Sequence, residues 1–223
     1  MQNRIWEKVF KNQTWGQYPA EPLIRFIAKN FYAKNRKRTK ILELGCGPGA
    51  NLWYLAREGF SFNGIDGSAT AVMQAKVRLN KECPGWKKLG KIIKGDITKI
   101  NFGEEIYDAI IDNECICCLD FVKAKQVYQK SLKALKTGGK IFSRTFSAEH
   151  FYLQKAQKIS KGTYIFAQGS LAGKGPVRFT KIKEIKILFK NFKILKIEKH
   201  FQKSYKEGTN NAEWIIEGIK CNI

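Results

Sequence analysis

The stretch ILELGCGPGANLWYLAREGF, residues 41–60, decides the fold. An apolar run enters three alternating glycines, Gly45, Gly47 and Gly49, and a periodic apolar segment begins straight after them. That order reads as a buried strand, a tight turn and a helix. Glycine at every second position frees the backbone to turn sharply and to approach a neighbour that a side chain would hold off.

Outward from this turn, strand and helix patterns alternate: FSFNGID, SATAVMQAKVRLNKE, KIIKGDI, YDAIIDNE, FVKAKQVYQKSLKALK and GKIFSRTF. Such alternation specifies βαβ units, and so a Rossmann-like α/β fold, a doubly wound and mostly parallel sheet with helices on both faces. Upstream, residues 3–11 and 21–35 read as helices, separated by NQTWGQYPAEP, whose glycine and prolines interrupt them. Downstream, TYIFAQGSLAGKGPVRF at 163–179 is too rich in glycine for a long helix and reads as a mobile loop or lid over a site, or as an ordinary surface insertion. A short helix follows in residues 180–192, with Thr180 as its N-cap. FKILKIEKHFQK and AEWIIEGIK then form a C-terminal antiparallel hairpin across KEGTNN. The expected organisation is one domain over residues 1–223, with a helical cap (1–38), a core (39–146), and a lid and hairpin (147–223).

At 223 residues and 43% hydrophobic, the chain can bury one sizeable core. No run of about 18 apolar residues and no secretory signal is readable, so a cytoplasmic protein without a membrane span is expected. The six cysteines lack the spacing of a disulfide framework and are expected as thiols. Cys115, Cys117 and Cys118 have no second Cys or His cluster at zinc-like spacing, so no metal is expected. The net charge of +22 invites a nucleic-acid reading. Yet only eight of the 41 basic residues are arginine, and lysine is spread through nearly every segment, as on a solvated basic face. The two denser places are residues 34–40 and 181–203.

In a doubly wound sheet, ligands sit outside the carboxyl ends of the strands, where the strand order reverses. GCGPGA occupies such a turn and loosely fits the dinucleotide fingerprint through Gly45, Gly47 and Ala50, with Asp66 ending the second strand. Several features depart from that reading. Glu43 makes the motif E-x-G-x-G-x-G, and Pro48 removes an amide that a pyrophosphate would use. Asp96 and Ile97, after Gly95, suit the exocyclic amine and one face of an adenine.

ILELGCGPG, GID at 64–66, GDI at 95–97 and YDAIID at 107–112 together resemble the class I S-adenosylmethionine-dependent methyltransferases. The resemblance covers about residues 39–146, and the later part looks like small bacterial members. It implies S-adenosylmethionine as cofactor and S-adenosylhomocysteine as product. By the same resemblance, Gly45, Cys46 and Gly47 pass beside the amino acid part of the cofactor, with Glu43 behind them. Asp66, with Gly67, takes the ribose hydroxyls, and Asp96 and Ile97 take the adenine. Asp112 or Asn113 faces the methionine end. In similar methyltransferases a helix before the first strand crosses the cofactor. Trp15 and Tyr18 are therefore expected over the methionine end, and Arg25 on its carboxylate. The alternative is that the aromatics only pack the helix and that Arg25 pairs with Glu21.

A sulfonium methyl is already activated, so the protein must align a nucleophile and, for a hydroxyl or ammonium, remove its proton. Glu114 and His150 are the candidate bases. The [DN]-P-P-[FY] motif of nucleic-acid amine methylation and the Pro-Cys pair of cytosine methylation are absent, and GSLAGKG lacks phosphate-loop spacing. A small-molecule acceptor with an O or N nucleophile is expected. The alternatives are an RNA methyltransferase using residues 34–40 and a scaffold that binds cofactor without turnover.

Overall fold

The computed structural model describes residues 2–149, 156–206 and 209–222. The elements run α1 (Gln2–Asn12), α2 (Glu21–Phe31), β1 (Lys40–Leu44), α3 (Ala50–Arg57), β2 (Ser61–Asp66), α4 (Ala69–Glu82), β3 (Gly90–Lys94) and β4 (Tyr107–Asn113). They continue with α5 (Phe121–Ala134), β5 (Leu135–Phe146), β6 (Gln157–Ser160), β7 (Thr163–Ile165), β8 (Val177–Arg178), α6 (Ile182–Leu188), β9 (Lys193–Ser204) and β10 (Thr209–Ile219).

Seven strands form the main sheet in the order β3-β2-β1-β4-β5-β10-β9. The first five are parallel, whereas β10 runs antiparallel to both β5 and β9. The doubly wound sheet and its closing hairpin are thus those the sequence predicts. Strand order reverses between β1 and β4, which opens a crevice at their carboxyl ends.

The two-residue period of the strands divides the core. Ile41, Phe62, Ala109, Ile111 and Phe142 face one side and are covered by α2, α3 and α4 through Phe26, Leu55 and Leu79. Leu42, Leu44, Ile65, Ile110 and Ile141 face the other and meet α5 and α6 through Val127, Tyr128 and Leu188. Both faces are buried, which is why these strands read as nearly continuous apolar runs.

Three local expectations change. The second helix stops at Phe31 rather than residue 35. There the chain turns on Asn35, whose Oδ1 accepts from Arg38 N at 3.2 Å and whose carbonyl accepts from Thr39 N at 3.0 Å. The glycine-rich segment is not wholly loop, because β7 and β8 join β6 in a three-stranded antiparallel sheet. Phe166, Val177 and Phe179 bury that sheet against Phe146 and Cys117, which offsets the backbone freedom of its glycines. The N-cap of α6 is Lys181, not Thr180. Glu184 Oε2 accepts from Lys181 N at 2.9 Å, while the Thr180 hydroxyl accepts from buried Arg178 at 2.6 Å.

Candidate active site

A cavity of about 740 Å³ lies at the carboxyl ends of the strands. Its floor comes from the turn after β1, the ends of β2, β3 and β4, and the paired ends of β5 and β10. Gly45, Gly47 and Gly49 all have positive φ (64°, 51° and 86°), so the alternating glycines do make the tight turn. A Cβ on Gly45 would stand 2.2 Å from Cys115 Sγ, so the crowding there comes from the protein's own next loop. Asp66 ties the turn to the second strand: its Oδ2 accepts from Gly47 N and its Oδ1 from Ser68 N, each at 2.8 Å. Burial raises the Asp66 pKa against the pull of these two amides.

Glu43 is 2% exposed. Asn51 Nδ2 donates to its Oε1 at 2.6 Å, while Oε2 is buried without a partner among the described residues. Burial, reinforced by Asp66, pushes its pKa up to about 8. Asn113, at the end of β4, likewise presents a buried Oδ1 with no partner among the described residues. Cys46, Gly67, Asp96 and Ile97 line the same cavity. Asp96 Oδ1 is held by Thr98 N at 2.9 Å and Thr98 Oγ1 at 2.7 Å.

Two expected residues lie elsewhere. Asp112 is fully buried and turned into the core. Its carboxylate accepts from Cys115 N (3.1 Å), Ile116 N (2.9 Å), Tyr128 Oη (2.9 Å) and Ser143 Oγ (2.7 Å), so it fixes the turn after β4 instead of facing a ligand. Arg25 is 80% exposed and pairs with Glu21, one helical turn back, outside the cavity lining. His150 lies outside the described residues.

The roof is built by residues that the sequence reading passed over. Asn3, Trp6 and Phe10 of α1 line the cavity beside Trp15 and Tyr18. The rings of Trp6, Phe10 and Trp15 meet pairwise at 5.5 Å. Tyr18 is 72% exposed and meets Trp53 edge-on at 5.5 Å. Glu7 anchors α1 to the start of α4, accepting from Ser68 Oγ (2.6 Å), Thr70 Oγ1 (2.6 Å) and Thr70 N (3.2 Å). The two hydroxyl donors lead in lowering its pKa to about 2. The Trp6 and Phe10 pair, four residues apart on one helical face, was the available signal for this roof.

At the far end of the cavity Glu114, Arg144 and Glu213 meet. Arg144 Nε lies 3.2 Å from Glu114 Oε1 and 2.6 Å from Glu213 Oε2. Glu114 has a left-handed backbone (φ 61°), uncommon for a residue with a side chain, and its N donates to Arg144 O at 2.9 Å. Burial first, and then the Glu213 carboxylate, push the Glu114 pKa up to about 7 against the opposing pull of Arg144. Cys115, Cys117 and Cys118 also reach the wall, as thiols whose buried members ionise with difficulty. Among the described residues no group of three or more His, Cys, Asp or Glu could hold a metal. Among them, too, no helix is long and apolar enough to cross a membrane.

The family model described as a methyltransferase domain matches residues 35–191. The chain belongs to that family and is an S-adenosylmethionine-dependent methyltransferase. No curated protein matches the sequence. Its fold is shared by a SAM-dependent methyltransferase of Methanosarcina mazei, at 18% identity and a TM-score of 0.70, over 89% of this chain and 98% of that one. It is shared too by the 1,6-didemethyltoxoflavin-N1-methyltransferase of Burkholderia thailandensis, solved with that acceptor and S-adenosylhomocysteine. There the identity is 13%, the TM-score 0.64 and the coverage 91% and 78%. A Haemonchus contortus phosphoethanolamine N-methyltransferase aligns over all of this chain and 58% of its own, at 14% identity and a TM-score of 0.68.

Proposed function

We propose that the chain methylates a small-molecule acceptor at an O or N nucleophile, with Glu114 as the proton acceptor. The observation that carries the cofactor assignment is the pair of unpartnered buried acceptors, Glu43 Oε2 and Asn113 Oδ1, in the cavity that also holds Asp66 and Asp96. Buried oxygens without donors are costly, and a ligand ammonium would satisfy them. The residues therefore fit S-adenosylmethionine, which supplies a methyl group on a cationic sulfur.

In this reading Glu43 and Asn113 hold the cofactor ammonium, and the backbone of Gly45, Cys46 and Gly47 runs beside the amino acid part. Asp66 spends one lone pair of each oxygen on a backbone amide and keeps the other for a ribose hydroxyl. Asp96 and Ile97 take the adenine, and Gly67 lies beside the ribose, where its lack of a side chain makes room for Asn3 of α1. Trp15 and Tyr18 exclude water from above. The roof comes from α1 and the segment after it, through Asn3, Trp6, Phe10, Trp15 and Tyr18, whereas α2 covers the sheet; the strand ends of residues 39–146 hold the cofactor, and Leu171, Val177 and Glu213 border the acceptor end.

RNA methylation draws less support. Residues 34–39 precede β1 at the amino edge of the sheet, whereas the cavity opens at the carboxyl edge. Arg36 is moreover committed to Glu58 at 2.8 Å and to the Tyr32 ring at 4.3 Å. Calorimetry tests the cofactor assignment. S-adenosylhomocysteine should bind and NAD should not, and Asp66→Ala should weaken binding by about 1.5–3 kcal/mol, the range for hydrogen bonds to a charged group. Preference for NAD, or unchanged affinity in Asp66→Ala, would end this reading.

A further inference from the structure

Glu114 and Glu213 approach each other from different strands, Glu114 just past β4 and Glu213 on β10, with Arg144 between them. Arg144 occupies one oxygen of each carboxyl group, Glu114 Oε1 and Glu213 Oε2. The side chains are 29% and 17% accessible, and both line the cavity. One guanidinium thus serves two partly desolvated carboxylates, and the next cation on the cavity lining, Lys174, rests over the Trp15 ring and adds a longer-range attraction to Glu114. Thr163 also lines the cavity; it is 5% exposed and its Oγ1 has no partner among the described residues. Phe146, Leu171 and Val177 add apolar surface to the cavity, beside the polar Ser160, Ser170 and Lys174.

We propose that the methyl acceptor is a primary or secondary amine with an apolar body, seated as its ammonium between Glu114 and Glu213. This rests on the methyltransferase reading above and adds the acceptor class. An ammonium brings positive charge and several N–H donors to the carboxylate oxygens that Arg144 leaves open. A carboxylate acceptor would instead place a third negative charge beside two. A neutral alcohol would supply one donor and no charge.

The chemistry balances on the same two residues. Glu114 takes one proton from the ammonium, freeing the nitrogen lone pair. That pair forms the new N–C bond to the methyl carbon as the C–S bond breaks, its electrons staying on sulfur. The product leaves as a methylated ammonium that Glu213 still neutralises, and Glu114 passes its proton to water.

The test uses the full chain saturated with S-adenosylhomocysteine, with that binding measured first. If it fails, the cofactor reading fails rather than the acceptor assignment. With cofactor bound, 2-phenylethylamine, 2-phenylethanol and 3-phenylpropanoate are titrated at neutral pH. The amine should bind at least about 10-fold tighter than either companion. Glu213→Gln should erase most of that preference while leaving S-adenosylhomocysteine binding unchanged. Tighter binding of the carboxylate, equal binding of amine and alcohol, no amine binding to the cofactor-loaded protein, or a preference that survives Glu213→Gln would each overturn the proposal.

Discussion

Gly45→Ala separates two reasons for a glycine in the turn after β1: room for a ligand, or room for the protein itself. Gly45 has φ 64°, and an added Cβ would sit 2.2 Å from Cys115 Sγ and 2.6 Å from Cys115 Cβ. Gly59 supplies the control, since its φ is 78° and nothing stands within 4 Å of its would-be Cβ. Both alanines carry the left-handed backbone cost of about 1–2 kcal/mol. Only Gly45→Ala also forces a methyl into a packed neighbour, an overpacking cost of about 1–3 kcal/mol. Gly59→Ala should therefore lose about 1–2 kcal/mol and Gly45→Ala about 2–5 kcal/mol. Urea unfolding of the ligand-free protein measures both. Adding Cys115→Gly to Gly45→Ala should recover the excess but not the backbone part. Equal losses for the two alanines would refute the packing argument, and a normally stable Gly45→Ala that fails to bind S-adenosylhomocysteine would return the glycine to the ligand.

Two further outcomes follow from the carboxylates. Because the folded pKa of Glu7 is about 2, below its ordinary 4.5, the stabilisation it gives α1 is present above about pH 4.5 and is lost as pH falls toward 2. Tryptophan emission, to which Trp6 and Trp15 contribute, should shift over that window, and Glu7→Gln should show the shifted emission already at neutral pH; an unchanged variant would show that Glu7 does not hold the roof. Glu114, raised to about 7, should titrate near neutrality by carboxyl-carbon NMR, and Glu213→Gln should lower its pKa by removing a like charge; titration near 4.5, or a rise in the variant, would deny the coupling.

The parts of this molecule that were readable from the sequence share a physical cause, namely that they depend on neighbours close in the chain. The strand-turn-helix at 41–57 follows from apolar runs and three glycines within a few residues, and Asp66 and Asp96 mark strand ends for the same local reason. What could not be read depends on register between distant segments. Asp112 and Asn113 are adjacent and chemically similar, yet the pleat sends the first into the core beside Tyr128 and Ser143 and the second into the cavity. Glu213 stands near Glu114 only because β10 runs antiparallel to β5 and brings its early residues to the carboxyl edge. The glycine-rich segment reads as loop because its two strands are three and two residues long, too short for alternation to show.

The roof joins these scales. Glu7 accepts from the N-cap residue of α4, Ser68, and Ser68 N in turn donates to Asp66, the carboxylate that also holds Gly47. One chain of hydrogen bonds therefore runs from α1 through the start of α4 to the glycine turn. Lifting α1 to admit a ligand must break the Glu7 contacts, and doing so removes two hydroxyl donors and one amide from a single carboxylate. Hydrogen bonds to a charged group are worth about 1.5–3 kcal/mol each when buried, and less here because Glu7 is 28% accessible. On the other side of the opening, Lys174 Nζ rests 4.6 Å above the Trp15 ring, so the segment between β7 and β8 meets the N-terminal segment over the site. The roof is thus made of two chain segments, one latched by the Glu7 carboxylate and the other resting on the Trp15 indole.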